Sequence, residues 1–286
     1  MRIVIGVAIL LALVASALHG TWNVLVKVSG DPTTTLTRST VAAALLIAPP
    51  AFVAWLLDGR PGLTPHAAGL GVVSAALELT YIFLLSAAYR RGEVSVVYPI
   101  ARGSAPLPAV LFGLIILGEK LATPQLIGVA LLLAGILAVT LSQASGRATL
   151  PALLTGIAIA AYTSVDRLGV RLAAPWLYGW LLVTVLAAGL VVARWLGARL
   201  GTRAPAPADP ISWRRAMVIG GFTWGAYLLV LAALSIASLA IVAPVRETAV
   251  VAVAVWGVWK LHERTGAWLK LSGAVATLLG VVLLAI

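Results

Sequence analysis

The chain has 286 residues, of which 62% are hydrophobic and only 10% are charged, and its formal net charge is +11 at pH 7. Soluble domains have about 45–50% apolar and about 25% charged residues, so this composition excludes a soluble globular protein and indicates an integral membrane protein. The chain has no cysteine, which excludes disulfides, thiolate catalysis and the cysteine-based zinc sites.

The positive charge does not indicate a nucleic-acid partner. Lysine and arginine residues stand singly or in pairs at the ends of apolar runs, where anionic lipid headgroups attract them. No polar segment carries a basic stripe with interleaved aromatic residues, which a groove for single-stranded nucleic acid would need. We therefore expect contacts with membrane lipids and none with nucleic acid.

Apolar runs bounded by glycine, proline or charge divide the chain into segments of about 20 residues, the length that an α-helix needs to cross a bilayer. The predicted spans cover residues 3–28, 36–57, 66–89, 93–117, 123–142, 149–172, 175–198, 212–235, 238–260 and 266–286. The first span follows Arg2 and would also suit a signal peptide. Because its apolar run continues to Val28 and recurs near residue 165, we interpret it as a membrane helix. The predicted fold class is therefore all-α integral membrane, with ten transmembrane helices.

The fourth span, 93–117, contains Pro99, Pro106 and Pro108 and a charged residue, Arg102, near its middle. Each proline removes a backbone donor and crowds the preceding turn. A membrane helix keeps it only where neighbouring helices or a water-filled cavity satisfy the freed carbonyls. An arginine at this depth is costly unless it faces a partner or such a cavity. We predict a broken helix with hinges at Pro99 and Pro106, and with Arg102 facing a central cavity.

The second half of the chain repeats features of the first half, about 144 residues further on. The matched pairs are Arg102 with Arg246, Glu119 with Glu263, Pro99 with Pro244, Gly128 with Gly273 and Gly135 with Gly280. The pairing makes Pro244 a third predicted hinge. Each half holds five spans, and an odd number inverts the second half in the membrane, as in carriers that work by alternating access. We predict two inverted five-helix repeats, over residues 1–142 and 149–286, around the central cavity.

Five motifs point to a known family. They are LHGTWNVLVK at 18–27, AAYRRGEVSVVYPIARGSAP at 87–106, LGEKL at 117–121, APVRE at 243–247 and HER at 262–264. Through them the chain resembles the drug/metabolite transporter superfamily, in particular its ten-helix carriers with two EamA-type halves, and among these a bacterial subgroup associated with phosphonate utilisation. The resemblance implies a secondary transporter in the cell (inner) membrane that needs no cofactor. It also implies that basic residues on the fourth and ninth helices, here Arg102 and Arg246, hold an anion.

Helical spacing places further polar and aromatic residues beside these arginines, since residues three or four positions apart share a face. Tyr98 then lies beside Arg102, and Tyr162 beside Asp166. The predicted substrate-binding residues are Arg102, Arg246, Tyr98, Glu78, Tyr81, His19, Trp22, Asn23, Tyr162, Asp166, Trp224 and Glu247. We predict no metal site among them.

The roles of the charges inside the membrane stay open at this point. Arg102 and Arg246 either contact the substrate or form a structural ion pair with Glu247 or Glu78. Glu78 has no acidic counterpart in the other half. A lone carboxyl away from water is costly to ionise, which suits proton coupling unless an arginine lies beside it.

Three further charged residues are expected near helix ends. Asp166 is followed by Arg167 and should therefore lie closer to the membrane interface than the other predicted site residues. Glu119 and Lys120 end their span, and we expect them to be hinge or interface residues rather than substrate ligands.

We expect a secondary active transporter that moves a small polar metabolite by alternating access and acts as a monomer or weak dimer. The substrate would be an amino acid, an aminophosphonate or another small organic anion or zwitterion. An exporter of drugs or of cationic or aromatic metabolites is the alternative, with the charges as structural ion pairs. An intramembrane enzyme would need a catalytic motif such as HExxH or GxSxG, which the sequence lacks, and a channel would need a ring of like residues from an oligomer. The bias of lysine and arginine places both termini outside the cell, whereas the resemblance implies that both are inside.

Overall fold

Every regular element in the described part of the chain is a helix. The computed structural model describes residues 2–27, 29, 31–92, 94–141, 147–200, 211–251, 255 and 267–285. Its elements are α1 (Arg2–Lys27), α2 (Pro32–Leu57), α3 (Pro65–Tyr89), α4 (Val94–Gly103), α5 (Pro106–Leu111), a π-helical segment (Phe112–Ile116), α6 (Thr123–Leu141), α7 (Thr149–Gly169), α8 (Pro175–Arg199), α9 (Trp213–Ile236), α10 (Leu239–Arg246) and α11 (Ala267–Ala285). Among these residues, eight helical stretches are long and apolar enough to cross a membrane. The predicted all-α membrane fold is confirmed, while the ten-helix count and the inverted repeat stay predictions.

Capping side chains and prolines set where several helices begin. Asp31 caps α2 by accepting a hydrogen bond from the backbone N–H of Thr34 at 2.6 Å, and Pro32 takes the first helical position. Thr64 caps α3 in the same way, with Pro65 after it. Proline suits this position because its missing N–H would have no partner there in any case. These helix starts lie within a few residues of the predicted span edges.

The fourth predicted span is broken, but one turn later than Pro99. α4 continues through Pro99 and ends at Gly103, and α5 begins at Pro106. Pro106 and Pro108 remove two backbone donors in close succession, which ends the helix. The prediction that Pro99 itself breaks the helix is wrong, because the loss of one hydrogen bond is absorbed there.

α10 has the same design in the second half of the chain. It contains Pro244 in its interior and ends at Arg246, after which Glu247 begins a turn. The predicted break at Pro244 is wrong for the same reason as at Pro99. Both short helices carry an arginine in their last turn, where the negative end of a helix dipole favours a cation.

α6 and α11 pack against each other in opposite directions through glycines. A Cβ on Gly135 would lie 2.4 Å from the carbonyl oxygen of Gly273, and a Cβ on Gly280 would lie 2.6 Å from that of Gly128. Small residues let two membrane helices approach this closely. Because the long helices alternate in direction, α1 begins and α11 ends on the same membrane face, which we call the terminal face. The other side is the opposite face.

Contacts between the two halves dominate the interior. α1 packs along α9, α3 packs along α7 and α8, and α2 lies against α8 and α9. The broken helices α4 and α10 enter between these pairs, so their arginine-bearing ends meet inside the bundle.

Candidate functional site

A cavity of about 50 Å³ lies between the two halves. Two charged residues, Arg102 and Glu78, face it together with a histidine and five aromatic side chains. The lining residues are His19, Trp22, Leu36, Thr40, Glu78, Tyr81, Ile82, Arg102, Tyr162, Leu186, Thr223, Trp224 and Tyr227. Leu36 and Thr40 belong to the first turns of α2, which begins on the opposite face. The cavity therefore lies towards that face.

The structure brings together most of the predicted substrate-binding residues. Those that line the cavity are His19, Trp22, Glu78, Tyr81, Arg102, Tyr162 and Trp224. Arg246 and Glu247 line a neighbouring cavity of about 10 Å³ instead. Tyr98 and Asp166 are buried but line neither cavity, and the side chain of Asn23 lies outside the described part of the chain.

The sequence analysis missed three polar residues of the cavity wall, Tyr227, Thr223 and Thr40. Tyr227 stands three positions after Trp224, so helical spacing along α9 could have found it. Thr40 gives no comparable signal, because a threonine on an apolar helix is common and only the packing of α2 against α9 brings it to the cavity.

The two arginines share one carboxylate. Arg102 Nη1 donates to Glu247 Oε1 at 3.1 Å, and Arg246 Nε lies 3.1 Å from the same oxygen. All three side chains are at least 95% buried. A buried charge needs a partner of opposite sign, and one carboxylate for two guanidinium groups leaves a net charge of +1. Of the open alternatives for these residues, the structure contains the ion pair with Glu247.

Arg246 is held by further contacts that direct it away from the main cavity. Its Nη2 donates to the hydroxyl of Tyr162 at 2.9 Å, and its Nη1 donates to Thr163 Oγ1 at 3.4 Å. The guanidinium carbon also lies 5.8 Å from the centre of the Tyr162 ring. The fixed Arg246 thereby orients Glu247, which in turn orients Arg102 at the cavity wall.

Asp166 lies at the centre of a cage of hydroxyl groups. Its Oδ1 accepts hydrogen bonds from Ser74 Oγ at 2.5 Å and from the Tyr178 hydroxyl at 3.0 Å, and its Oδ2 accepts one from the Tyr227 hydroxyl. Its solvent exposure is 0%, so it is buried inside the bundle, three residues before the end of α7. The expectation that it lies close to the membrane interface stays a prediction.

Tyr227 connects this cage to the cavity. Its ring lines the cavity beside Glu78, and its hydroxyl donates to Asp166. In the part of the chain that the structure describes, the salt bridges involve Glu119 and Glu247 but neither Glu78 nor Asp166. No three His, Asp or Glu side chains among the described residues are placed to hold a metal ion.

A second contact between the halves closes the terminal face. Glu119 Oε1 accepts from the backbone N–H of Leu239 at 2.8 Å and from Arg167 Nε at 3.0 Å, while its Oε2 accepts from the N–H of Ala240 at 3.0 Å. Arg167 also donates to the carbonyl oxygen of Leu234. A glutamate from the first half thus caps the N-terminus of α10 in the second half.

The local sequence explains why Glu119 reaches α10. Gly118 adopts a positive φ of 64°, a conformation that glycine takes without strain, and it turns the chain so that the N–H of Glu119 donates to Gly113 O at 2.9 Å. Ser238 stands at the usual capping position of α10, but its hydroxyl makes no capping bond. The carboxylate of Glu119 does this instead, and Glu263, its predicted counterpart, lies outside the described residues.

Comparison with known proteins finds a family match in the first half of the chain. Residues 6–141 match the model of the EamA-like transporter family. A crystal structure of a protein aligns over 96% of this chain and 95% of its own, with a TM-score of 0.69 and 17% sequence identity, a likeness that shows the fold alone. No curated protein sequence matches the chain. The predicted resemblance to the drug/metabolite transporter superfamily is confirmed, and with it a multi-pass membrane transporter of small molecules. The phosphonate-associated subgroup stays a prediction.

The hydroxyl cage should make Asp166 a major contributor to stability. Asp166→Ala leaves three buried hydroxyl groups without their acceptor, and each such group costs about 1–3 kcal/mol. We expect a loss of several degrees or more in the thermal unfolding temperature in detergent, and a smaller loss for Ser74→Ala, which removes one donor. The exposed Asp58 supplies the control, since Asp58→Ala should change little. Equal unfolding temperatures for Asp166→Ala and Asp58→Ala would contradict the cage.

Proposed function

We propose that this EamA-like membrane transporter is a secondary active carrier of a small zwitterionic or anionic metabolite, such as an amino acid or an aminophosphonate, in the cell (inner) membrane. The observation that supports this most is the cavity between the halves, which has Arg102 and Glu78 on one continuous wall. A wall with both signs of charge suits a ligand with both signs.

The charge distribution supports a ligand that carries an amine as well as an anion. Arg102, Arg246 and Glu247 together leave one positive charge, whereas Glu78 and Asp166 have no salt-bridge partner among the described residues. Coulomb interactions are only weakly damped away from water. A dianion without an amine would therefore meet repulsion from the carboxyl side, while a zwitterion would satisfy both sides.

Transport by alternating access fits the asymmetry of the two faces. The cavity lies towards the opposite face, and the contact of Glu119 with Arg167 and with the start of α10 closes the terminal face. In the proposed cycle this contact breaks, the two halves rock about the central charges, and the cavity opens to the terminal face.

An exporter of cationic or aromatic metabolites is the second candidate. Five aromatic rings line the cavity, and Glu247 already neutralises part of the arginine charge. In that case Glu78 would bind a cationic group and Arg102 would remain a structural residue.

The carrier of zwitterions and the exporter can be distinguished by comparing compounds that have an amine with matching compounds that lack it. We expect alanine to compete better than propionate, and 2-aminoethylphosphonate better than ethylphosphonate, in counterflow into proteoliposomes. The expected preference is about tenfold, the value of one charge-assisted contact. Arg102→Lys keeps the charge but loses the planar fork, so it should weaken binding of both amine-containing compounds without abolishing it.

Three outcomes decide between the proposals. Equal competition by the amine-containing and the amine-free member of each pair would show that the site recognises only the anionic group. Competition by simple amines, with no effect of Arg102→Lys, would favour the exporter. Absence of saturable counterflow with all four compounds would contradict the proposed substrate class.

Glu78 is the proposed proton-coupling residue. It lines the cavity together with Tyr227 and has no salt bridge among the described residues. Glu78→Gln removes the titrating group while keeping the size of the side chain, so we expect transport that no longer varies with pH between about 5 and 8. Asp58→Asn, at an exposed acid, is the control and should keep the wild-type profile. If Glu78→Gln keeps it too, the coupling lies elsewhere.

Glu119 is the proposed gate residue of the terminal face. Glu119→Gln removes the charge that binds Arg167 and one of the two oxygens that cap α10, a loss of about 1.5–3 kcal/mol for bonds to a charged group. We expect Ala243→Cys, one turn into α10, to react about tenfold faster with a membrane-impermeant thiol reagent in the Glu119→Gln background. Lys120→Gln, at the exposed neighbouring residue, should leave the rate unchanged. An unchanged rate in Glu119→Gln would rule out the gate.

A further inference from the structure

Two tryptophans on the cavity wall have indole N–H groups without a hydrogen-bond partner. Trp22 on α1 and Trp224 on α9 both line the cavity, and each is 3% exposed. Among the described residues, neither Nε1 atom has an acceptor within reach. The indole group can only donate, so nothing but an acceptor can satisfy it.

An unsatisfied buried donor is costly and therefore calls for an explanation. Leaving such a group without an acceptor costs about 1–3 kcal/mol, and a buried tryptophan usually finds one. Trp55 does so in this chain, since its Nε1 donates to the carbonyl oxygen of Pro61 at 3.1 Å. Trp22 and Trp224 instead belong to two helices that pack along each other across the halves, α1 and α9.

Four other polar side chains of the wall already have partners. Arg102 binds Glu247, the Tyr162 hydroxyl accepts from Arg246, and the Tyr227 hydroxyl donates to Asp166. His19 Nδ1 lies 3.0 Å from the carbonyl oxygen of Ala15. Among the described residues, the two indole N–H groups are thus buried donors of this wall that the protein itself leaves unused.

Edge contacts between rings hold both tryptophans in place. Trp22 packs edge-on against His19 with the ring centres 5.9 Å apart, and Trp224 packs edge-on against Tyr227 at 5.1 Å. Tyr227 and Tyr81 both pack against Tyr162 in turn. Rings fixed in this way lose little conformational freedom when they bind a ligand.

We propose that the indole N–H groups of Trp22 and Trp224 bind oxygen atoms of the anionic end of the transported molecule, beside Arg102. This inference rests on the proposed carrier function and adds how the anion is recognised. Arg102 shares its charge with Glu247, so it attracts the anion only in part. Two neutral N–H donors add hydrogen bonds without adding charge. They would therefore recognise the oxygen acceptors of a carboxylate or phosphonate, while Arg102 attracts its negative charge.

Substitution by phenylalanine isolates the N–H group, because it keeps an aromatic ring in the wall. We expect Trp22→Phe and Trp224→Phe each to weaken binding of alanine and 2-aminoethylphosphonate about threefold to tenfold, the value of one hydrogen bond. Trp268→Phe is the matched control, since Trp268 lies on α11 with 81% of its surface exposed, and it should bind like the wild type. Thermal unfolding of each variant checks that it is folded.

The wild-type protein supplies an independent readout. The chain has ten tryptophans, and each gives one indole N–H signal in a ¹H–¹⁵N correlation spectrum. The Phe variants identify the signals of Trp22 and Trp224 by their absence. We expect these two signals to move downfield when 2-aminoethylphosphonate or alanine binds, while that of Trp268 stays in place.

The outcomes separate this inference from the carrier function. Binding that is equal in wild type, Trp22→Phe and Trp224→Phe, or indole signals that do not move although the compound binds, would overturn the role of the tryptophans and leave the carrier in place. If the wild type binds neither compound, the proposed substrate class fails, and the inference fails with it.

Discussion

Two arginines that share the carboxylate of Glu247 in the middle of the bundle are the constraint on which the rest of the structure depends. Charges at this depth are tolerated only when they are paired or face a polar cavity, and the structure supplies both conditions. α4 and α10 end there, so the negative ends of two helix dipoles meet the guanidinium groups. Because Arg102 comes from the first half and Glu247 from the second, the same ion pair joins the halves at the level of the cavity.

The contacts that join the halves differ in how easily they can be rearranged. The arginine cluster is buried, and Arg246 also donates to Tyr162 and Thr163, so the cluster suits a fixed pivot. The Glu119 contact lies at the terminal face, where water can replace each of its hydrogen bonds once the face opens. The glycine contact of α6 with α11 lies at the side of the bundle and holds backbone against backbone. A pivot at the centre and a contact at one face that can open are what a rocking carrier requires.

The sequence predicted the helices and the central charges better than their partners. Apolar runs and helix-starting prolines located the spans, and the depth of Arg102 and Arg246 in apolar runs indicated a polar interior. The partners of Asp166 and Glu119 could not be predicted, because they depend on which helices pack together over long sequence separations. The predicted helix break at Pro99 was wrong for a physical reason. The loss of one backbone hydrogen bond does not break a packed helix, whereas the close pair Pro106 and Pro108 does. Helical spacing from Trp224 could have predicted Tyr227 as a cavity residue. The sequence gives no sign, however, that the indole N–H groups of Trp22 and Trp224 lack an acceptor.

The central claim is that one cavity opens alternately to the two faces as the halves rock about the arginine cluster. Because the chain has no cysteine, spin labels can be attached to two pairs of introduced cysteines. One pair, Lys120→Cys with Ile236→Cys, spans the halves at the terminal face, and the other, Arg91→Cys with Leu200→Cys, spans them at the opposite face. Pulsed electron paramagnetic resonance in liposomes should show that the two distances change in opposite directions when a transported substrate is added. Distances that stay fixed at both faces, in protein that transports, would contradict the account.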